Sequence, residues 1–173
     1  MKSLVSILMV FIIACAVPSL VSAEVITHQE GQIQITVPDT WKKTEEANYI
    51  KIEAPDKEMT VCFIILSPEQ ADKILDTVDN KLEEFLGGIK WENDGKPKAD
   101  EINGMKGEIW NGTAKEGKFQ VECIVLNTPS NKKLCYYWFD TPESEKKYEK
   151  DIETIVKGLK PIATTPAPTT TGK

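Results

Sequence analysis

The sequence has 173 residues, a one-domain length, and its 27 acidic and 21 basic residues give a formal net charge of −6 at pH 7. All the basic residues are lysines, so the chain lacks the guanidinium fork with which proteins recognise phosphate groups and base edges. An acidic chain of this kind is a poor candidate for binding nucleic acid or anionic lipid, and its charged partners are expected to be basic proteins or cations.

Residues 1–23 are predicted to be a secretory signal peptide. Lys2 supplies a minimal positive charge, residues 4–17 form an apolar run too short to span a bilayer comfortably, and Val21-Ser22-Ala23 is a small-residue cleavage site. A competing interpretation is a bacterial lipobox ending at Cys15, whose lipidation would anchor the chain to a membrane. The segment after Cys15 is not the polar tether of most lipoproteins, so the cleaved form is favoured. The protein is then periplasmic or secreted.

The domain itself is predicted to span residues 24–161, and its first half begins with strands. Polar and apolar residues alternate strictly over residues 32–37, which is typical of a strand with one buried face. Residues 49–54 alternate in the same way. Residues 59–66 are almost continuously apolar, so this strand is expected to lie centrally in a sheet.

The first predicted helix follows this strand. Ser67 as the N-cap, Pro68 at the first helical position and Gln70 closing a capping box mark its start. Apolar residues then recur at spacings of three and four as far as Leu86, which predicts one buried stripe. Gly87-Gly88 ends the helix, because glycine readily adopts the left-handed conformation.

The strongest β signal lies in residues 104–140, where three consecutive strands are joined by two short turns. The strands are predicted over residues 105–114, 118–127 and 134–139. Asn103-Gly104 just before them is a hairpin signal, since both residues tolerate positive φ. The last strand is apolar at every position, as expected of a strand that is covered on both faces.

A second helix is predicted to follow the last strand. Asp140 or Thr141 caps it, Pro142 lies in its first turn and Gly158 ends it. Its buried stripe consists of Tyr148, Ile152, Ile155, Val156 and Leu159. Residues 162–173 are rich in Thr and Pro and are predicted to be a disordered tail. Together these elements predict an α+β domain, with a mainly antiparallel β-sheet flanked by two main helices.

Aromatic side chains concentrate on the three-strand segment. The candidates for an interaction surface are Trp110, Tyr136, Tyr137 and Trp138. If one face of the sheet is left open, exposed Tyr and Trp suit a partner or a small ligand. Alternation places Tyr136 and Trp138 on one face of the last strand and Tyr137 on the other. Burial of this band by loops is the favoured alternative, since all-apolar strands are usually covered on both faces.

Three cysteines remain after the signal peptide: Cys62, Cys123 and Cys135. With an odd number of cysteines, an exported protein has at least one free thiol or an intermolecular disulfide bond. Cys123 and Cys135 flank one hairpin turn and are the candidate disulfide pair. They face each other only if the turn register pairs them, and a one-residue slip places them on opposite faces. Buried thiols are the favoured interpretation.

Few groups suited to catalysis are present. His28 is the only histidine, which excludes a histidine-based triad and a multi-histidine metal site by count. The sequence has no glycine-rich phosphate loop, and its cysteines lack the close spacing of a zinc site. Two carboxylates from distant positions could still meet in a hydrolase, but the sequence singles out no pair. We therefore predict no catalytic residues, no metal site and no cofactor.

The order of these elements resembles a known superfamily. Residues 32–41, Gln-Ile-Gln-Ile-Thr-Val-Pro-Asp-Thr-Trp, are similar to the early strand running into Pro-x-x-Trp of the PsbP-like superfamily. That group includes the Ran-binding Mog proteins and the DcrB-type bacterial envelope lipoproteins. The central helix, the Asn-Gly hairpin, the long strands and the C-terminal helix extend the resemblance over most of the domain. It implies an α/β/α sandwich that binds partners and does not catalyse.

The predicted function is accordingly that of a secreted or envelope-associated accessory domain with a protein partner. A periplasmic carrier of a small ligand or ion is the first alternative, and a hydrolase with scattered carboxylates is the second. The sequence leaves the identity of the partner and the oligomeric state open.

Overall fold

The computed structural model describes residues 22–71, 73 and 84–162. The predicted signal peptide as far as Val21, with Cys15, lies outside the described residues, and so does the Thr/Pro-rich tail from Ala163 onwards. Within the described ranges, no helix is both long enough and apolar enough to span a membrane.

The described residues form eleven strands and one long helix, α1 (Pro142–Gly158). Residues 68–71 and 84–86 are also helical, and two 3-10 turns lie at Glu92–Gly95 and Lys115–Gly117. The strands are β1 (Ala23–His28), β2 (Ile33–Pro38), β3 (Lys42–Glu46), β4 (Tyr49–Glu53), β5 (Thr60–Leu66), β6 (Ile89–Trp91), β7 (Lys98–Ile102), β8 (Met105–Ala114), β9 (Phe119–Asn127), β10 (Lys133–Asp140) and β11 (Lys160–Pro161).

The strands form two sheets. The main sheet has the order β3-β4-β5-β10-β9-β8-β6, with β7 also paired to β8, and a small sheet has the order β1-β2-β11. Every strand pair among the described residues is antiparallel. The three-strand segment predicted from the sequence is β8, β9 and β10. The prediction of a mainly antiparallel α+β fold is confirmed, and α1 is the second of the two predicted helices.

The main core lies between one face of the main sheet, which we name the core face, and a layer made by the small sheet and α1. Phe63, Ile124 and Tyr136 are cross-strand neighbours on the core face and are at most 2% exposed. Ile35 of β2 and Ile155 of α1 pack against the same cluster from the second layer. Each such side chain contributes about 1.5–3 kcal/mol when it is fully buried, so these contacts hold the two layers together.

Both predicted helix starts are observed. The Ser67 N–H donates to Gln70 Oε1 at 2.9 Å, and the Gln70 N–H donates to Ser67 Oγ at 3.3 Å. At α1, the Thr141 N–H donates to Ser144 Oγ at 3.0 Å, and the Ser144 N–H donates to Thr141 Oγ1 at 3.2 Å. Each capping box satisfies backbone N–H groups that a helix terminus leaves without partners. Most of the first predicted helix lies outside the described residues.

The C-terminal end of α1 is held by two close contacts. Gly158 lies so near to Thr36 of β2 that an added Cβ would overlap the threonine side chain. In the turn between β7 and β8, Asn103 adopts positive φ as predicted. Its Nδ2 donates to the carbonyl oxygens of Val156, Lys157 and Leu159, at 3.2, 3.2 and 2.6 Å. The hairpin therefore caps the helix end and fixes α1 over the core face.

The opposite face of the main sheet, which we name the thiol face, carries two smaller clusters. Cys123 and Cys135 pack there with Ala71, and Val121 packs with Leu86. Ala71 and Leu86 belong to the helical residues that follow β5 and precede β6. Both faces of the central strands β9 and β10 therefore carry buried side chains.

Candidate binding site: an acidic pocket beside Trp138

The structure divides the four aromatic residues predicted as an interaction surface between the two faces of the main sheet. Tyr136 and Trp138 lie on the core face, whereas Trp110 and Tyr137 lie on the thiol face. Tyr136 is 1% exposed, and its ring stacks on those of Phe63 and Trp138 at centroid distances of 5.6 and 5.7 Å. The four side chains therefore do not share one surface, and a partner cannot reach Tyr136 directly.

Trp110 and Tyr137 are half-buried in the thiol-face cluster. The hydroxyl of Tyr137 is hydrogen-bonded to the Cys62 thiol, and Tyr49 Oη lies 3.3 Å from the same sulfur atom. Burial raises the pKa of both tyrosines, so the two hydroxyls stay protonated. This side of the predicted surface is occupied by internal packing contacts.

The candidate disulfide pair also lies on the thiol face. Cys123 pairs with Tyr137 and Cys135 pairs with Val125, so the two cysteines are diagonal neighbours and do not lie opposite each other. Their sulfur atoms are 3.9 Å apart, whereas a disulfide bond is about 2.05 Å long. Diagonal neighbours have Cα atoms about 7–8 Å apart, which exceeds the usual disulfide range, so a bond would require the strands to shift.

We therefore expect Cys123 and Cys135 to remain thiols in the exported chain. Alkylation of denatured, unreduced protein should modify three cysteines, and mass spectrometry counts them. Modification of Cys62 alone would contradict this expectation and would support the Cys123–Cys135 disulfide.

His28 has a structural role. It is 9% exposed, its Nδ1 accepts a hydrogen bond from the Gly31 N–H at 3.0 Å, and its Nε2 lies 3.1 Å from the carbonyl oxygen of Ala47. Both ring nitrogens therefore contact the backbone of nearby turns. The imidazole fixes the turn between β1 and β2 to the turn between β3 and β4.

A pocket of about 290 Å³ lies on the core face beside Trp138. Its walls come from β8, β9 and β10, the 3-10 turn after β6 and the first turn of α1. Besides Trp138, its lining includes the polar side chains of Glu92, Asn111, Gln120, Glu122, Asp140 and Glu145. Four of these are carboxylic acids, and we name this site the acidic pocket.

Strand register brings these side chains together. Glu122 of β9 is paired with Asn111 of β8 and with Trp138 of β10, so the three lie in one row across the core face. Asp140 is the last residue of β10 and lies on the same face as Trp138, because every second residue of a strand points to the same side. The chain then enters α1, whose first turn carries Glu145 to the pocket.

Asp140 is buried without full hydrogen bonding. The residue is 2% exposed, and its Oδ2 is one of two buried side-chain atoms in the described part of the chain with no hydrogen-bond partner. The other is Tyr136 Oη. Burial raises the pKa of Asp140 to about 7, and the charge of Glu145 contributes to the rise. A buried oxygen without a hydrogen-bond partner costs free energy, so a donor placed in the pocket would stabilise Asp140 by bonding its Oδ2.

Glu122 shares this environment. Burial raises the pKa of Glu122 to about 7. The charges of three neighbouring carboxylates add to the rise: Asp100, Asp140 and Glu145. Glu92 also lines the pocket, and its Oε2 forms an ion pair with Lys98 Nζ at 3.1 Å. Because Glu122 and Asp140 both lose their protons near neutral pH, the pocket becomes more negative as the pH rises through about 7.

The arrangement suits a positively charged organic group. The carboxylates supply negative charge, Trp138 supplies an aromatic ring that attracts cations, and Asn111 and Gln120 supply amide oxygens as acceptors. Among the residues that the structure describes, no three His, Cys, Asp or Glu side chains are grouped closely enough to hold a metal ion. The acids line the walls of the pocket and do not converge on one point.

None of the pocket acids was predicted as a site residue. Alternation along β9 indicates only that Glu122 points away from Cys123, and it cannot show which side chains face it from the neighbouring strands. A signal was present at the end of β10, where Asp140 closes a strand that is otherwise apolar and falls on the same face as Trp138. That signal gains meaning only once the register of β9 against β10 is known.

A larger and more open groove, of about 1050 Å³, runs along the turns at residues 86–90 and 113–118. Its basic side chains are exposed lysines, including Lys115, whose Nζ lies 5.7 Å from the ring centroid of the 64% exposed Phe85. Neither of the two buried, unpartnered side-chain atoms lies in its lining. The acidic pocket is therefore the stronger candidate for a specific site.

Comparison with solved structures identifies the fold. The solution structure of cyanobacterial PsbP (CyanoP) from Synechocystis sp. PCC 6803 matches 84% of this chain and 96% of its own, with a TM-score of 0.58 and 9% sequence identity. The chain has a PsbP-like fold. The crystal structure of LpqN, involved in cell envelope biogenesis of Mycobacterium tuberculosis, matches 80% of this chain and 90% of its own, with a TM-score of 0.51 and 18% identity.

At these identities the comparisons show the fold alone. Neither a protein-family model nor a curated protein matches the sequence. Residues 32–41 and the order of the predicted elements resemble the PsbP-like superfamily. This resemblance is confirmed at the level of the fold.

Proposed function

We propose that the chain is an exported, non-enzymatic accessory domain of the cell envelope that binds a basic protein partner. One observation carries this proposal: the acidic pocket places Glu122, Asp140 and Glu145 around the half-buried Trp138. Accessible Trp is enriched in protein interfaces, and a negative surface attracts partners of opposite charge. The net charge of the whole chain, −6, has the same sign as the pocket.

Export is supported by the sequence of residues 1–23, which has the three parts of a signal peptide. A role in the envelope is supported by the likeness of fold to LpqN, whose structure is described as that of a protein involved in cell envelope biogenesis. Lipidation at Cys15 remains the alternative route to the same location.

The non-enzymatic part of the proposal is supported by the sequence, whose single histidine, His28, excludes a histidine-based triad. Both ring nitrogens of His28 contact the backbone of nearby turns, so this side chain has a structural role.

The proposal is tested by capture of partners from an envelope extract on the immobilised mature chain. The variants are Trp138→Ala and Glu145→Gln, and the matched control is Glu149→Gln, which removes the same charge one helical turn further along α1. A partner of the acidic pocket should be lost from both variants, retained by the control and released by high salt. Identical partner sets from all four proteins would contradict the proposal.

A periplasmic carrier of a small cation is the second candidate. It is favoured by the pocket volume of about 290 Å³, close to the lower end of known ligand sites. Native mass spectrometry of the protein purified from periplasm would detect a bound small molecule. A ligand lost in Trp138→Ala and kept in Glu149→Gln would support this candidate.

A further inference from the structure

We infer that the acidic pocket is a binding site for a single alkyl ammonium group, which a lysine side chain of the partner supplies. The inference rests on the proposed function, since it specifies the chemistry by which the partner is recognised. It assigns the contact to four side chains: Asn111, Glu122, Trp138 and Asp140.

Asp140 lacks a hydrogen-bond donor at one of its carboxylate oxygens. Its Oδ2 is buried and lacks a hydrogen-bond partner, although the residue lines the pocket and is 98% removed from solvent. Buried carboxylates in folded proteins are normally paired with a cation or with several hydrogen-bond donors. A cation entering the pocket would provide both.

Trp138 forms an aromatic wall of the acidic pocket. Tyr136 stacks on Trp138 at a centroid distance of 5.7 Å and an interplanar angle of 26°. Trp138 lines the pocket whereas Tyr136 does not. The indole is thus fixed from within the core and offers its pocket side to a ligand. Trp gives the strongest cation–π interaction of the natural side chains, and the interaction strengthens when the cation is desolvated.

The acceptors that line the pocket suit an ammonium group better than a metal ion. An ammonium group has three N–H donors, and the row of Asn111, Glu122 and Trp138 with Asp140 beside it provides acceptors on more than one wall. A metal ion would need oxygen ligands that converge at short distance, and no such group exists among the described His, Cys, Asp and Glu side chains. A flexible alkyl chain can also place the charge deep beside Asp140, because a lysine stem is narrow and unbranched.

The charge that the ligand meets depends on pH. The negative charges of Asp100 of β7, Asp140 of β10 and Glu145 of α1 act on Glu122 and add to the rise of its pKa. The 3-10 turn adds Glu92, whose charge is offset by Lys98. Burial holds the pKa of Glu122 and of Asp140 at about 7. Glu122 and Asp140 are therefore largely protonated in mild acid and negatively charged in mild base, so an ammonium ligand should bind more tightly as the pH rises.

The test titrates the mature chain with Nα-acetyl-lysine N-methylamide and follows the indole N–H resonance of Trp138 by NMR, assigned with the Trp138→Phe variant. The uncharged norleucine analogue is the matched ligand control. The expected result is a saturable shift with the lysine compound and none with norleucine. Binding should be at least tenfold weaker in Asp140→Asn, which removes a contact, weaker by a smaller factor in Glu145→Gln, which removes an exposed charge at the rim of the pocket, and unchanged in Glu149→Gln. It should also be weaker at mildly acidic than at mildly basic pH.

Three results would overturn the inference. One is the absence of any shift with the lysine compound in mild base. Another is equal binding by the wild type, Asp140→Asn and Glu145→Gln. The third is binding of free 1,5-diaminopentane more than tenfold tighter than the lysine compound, which would assign the site to a soluble amine instead of a protein side chain. Asp140→Asn is nearly isosteric, and Glu145→Gln changes an exposed residue, so a folding defect in the first leaves the second as a valid test.

The inference and the proposed function can fail separately. If the lysine compound binds as expected but no envelope protein is captured, the ammonium site stands and the partner-binding function fails. If a partner is captured through Trp138 while no ammonium compound shifts the indole resonance, the function stands and the lysine contact is wrong.

Discussion

The core face of the main sheet has two ends, and the same strands build both of them. At the dry end, Phe63, Ile124 and Tyr136 lie under the small sheet and α1 and are at most 2% exposed. The acidic end lies at Trp138, two residues after Tyr136 on β10, and at Glu122, two residues before Ile124 on β9. There the two side chains border a pocket in which burial raises the pKa of Glu122. Strand alternation sets the direction of a side chain, whereas the layer packed above it sets its burial.

The largest expected difference between the two ends is in packing energy. Phe63→Ala at the dry end should lower the free energy of unfolding by about 3–5 kcal/mol, because it leaves a cavity that the surrounding core cannot fill. Trp138→Ala at the acidic end should cost less, about 1–2 kcal/mol, because its ring is only partly buried. Urea unfolding followed by circular dichroism measures both. Equal losses would remove the distinction between the ends.

A second test probes how tightly the covering layer is docked at the dry end. Gly158→Ala should destabilise the protein by about 1–3 kcal/mol, because the new Cβ overlaps the side chain of Thr36. In an open helix the same substitution would stabilise by about 1 kcal/mol, so the sign of the change is diagnostic. Lys157→Ala on the exposed side of the same turn is the control. A gain in stability with Gly158→Ala would show that α1 does not pack closely on β2.

The boundaries of several strands and helices could be predicted from the sequence to a large extent. The predicted strand over residues 105–114 has the bounds observed for β8, and Ser67, Gln70 and Thr141 cap helices as expected. These features depend on local chemistry: period-two alternation, side-chain oxygens that accept N–H groups, and turn residues with positive φ. Interactions within a few residues determine them, so they can be read from a short stretch of sequence.

The acidic end could not be predicted in the same way. It depends on the register of β8, β9 and β10, which places Asn111, Glu122 and Trp138 in one row. The five-residue turn between β9 and β10 fixes that register, and the same register makes Cys123 and Cys135 diagonal neighbours. Sequence patterns locate strands, but the pairing between strands is a long-range property.

A third test uses pH to compare the ends. Asp140 and Glu122 have pKa values of about 7 in the folded state, above their ordinary values of 3.8 and 4.5. Between these values the two groups therefore bind more protons in the folded state than in the unfolded state, and their contribution to stability falls as the pH rises from about 4 through 7. Asp140→Asn removes the Asp140 share of this loss. The variant should be more stable than the wild type at about pH 8, by about 1–2 kcal/mol, with no advantage at about pH 4.

The matched control for this test is Glu149→Gln on the exposed face of α1. The difference in stability between this variant and the wild type should be the same at the two pH values. Unfolding curves for the wild type and both variants at each pH provide the measurement. An Asp140→Asn variant that is no more stable than the wild type at about pH 8 would mean that groups already within the protein stabilise the Asp140 carboxylate.

The smallest expected effect lies at Tyr136, where the two ends meet. Its hydroxyl is buried without a hydrogen-bond partner, whereas the hydroxyl of Tyr148 is bonded to Asp56. Tyr136→Phe should therefore be neutral or stabilise by less than about 1 kcal/mol, while the control Tyr148→Phe should destabilise by about 1 kcal/mol. A clear loss of stability in Tyr136→Phe would show that water in the acidic pocket bonds the Tyr136 hydroxyl. The acidic end would then extend one residue pair further into the core face than the packing indicates.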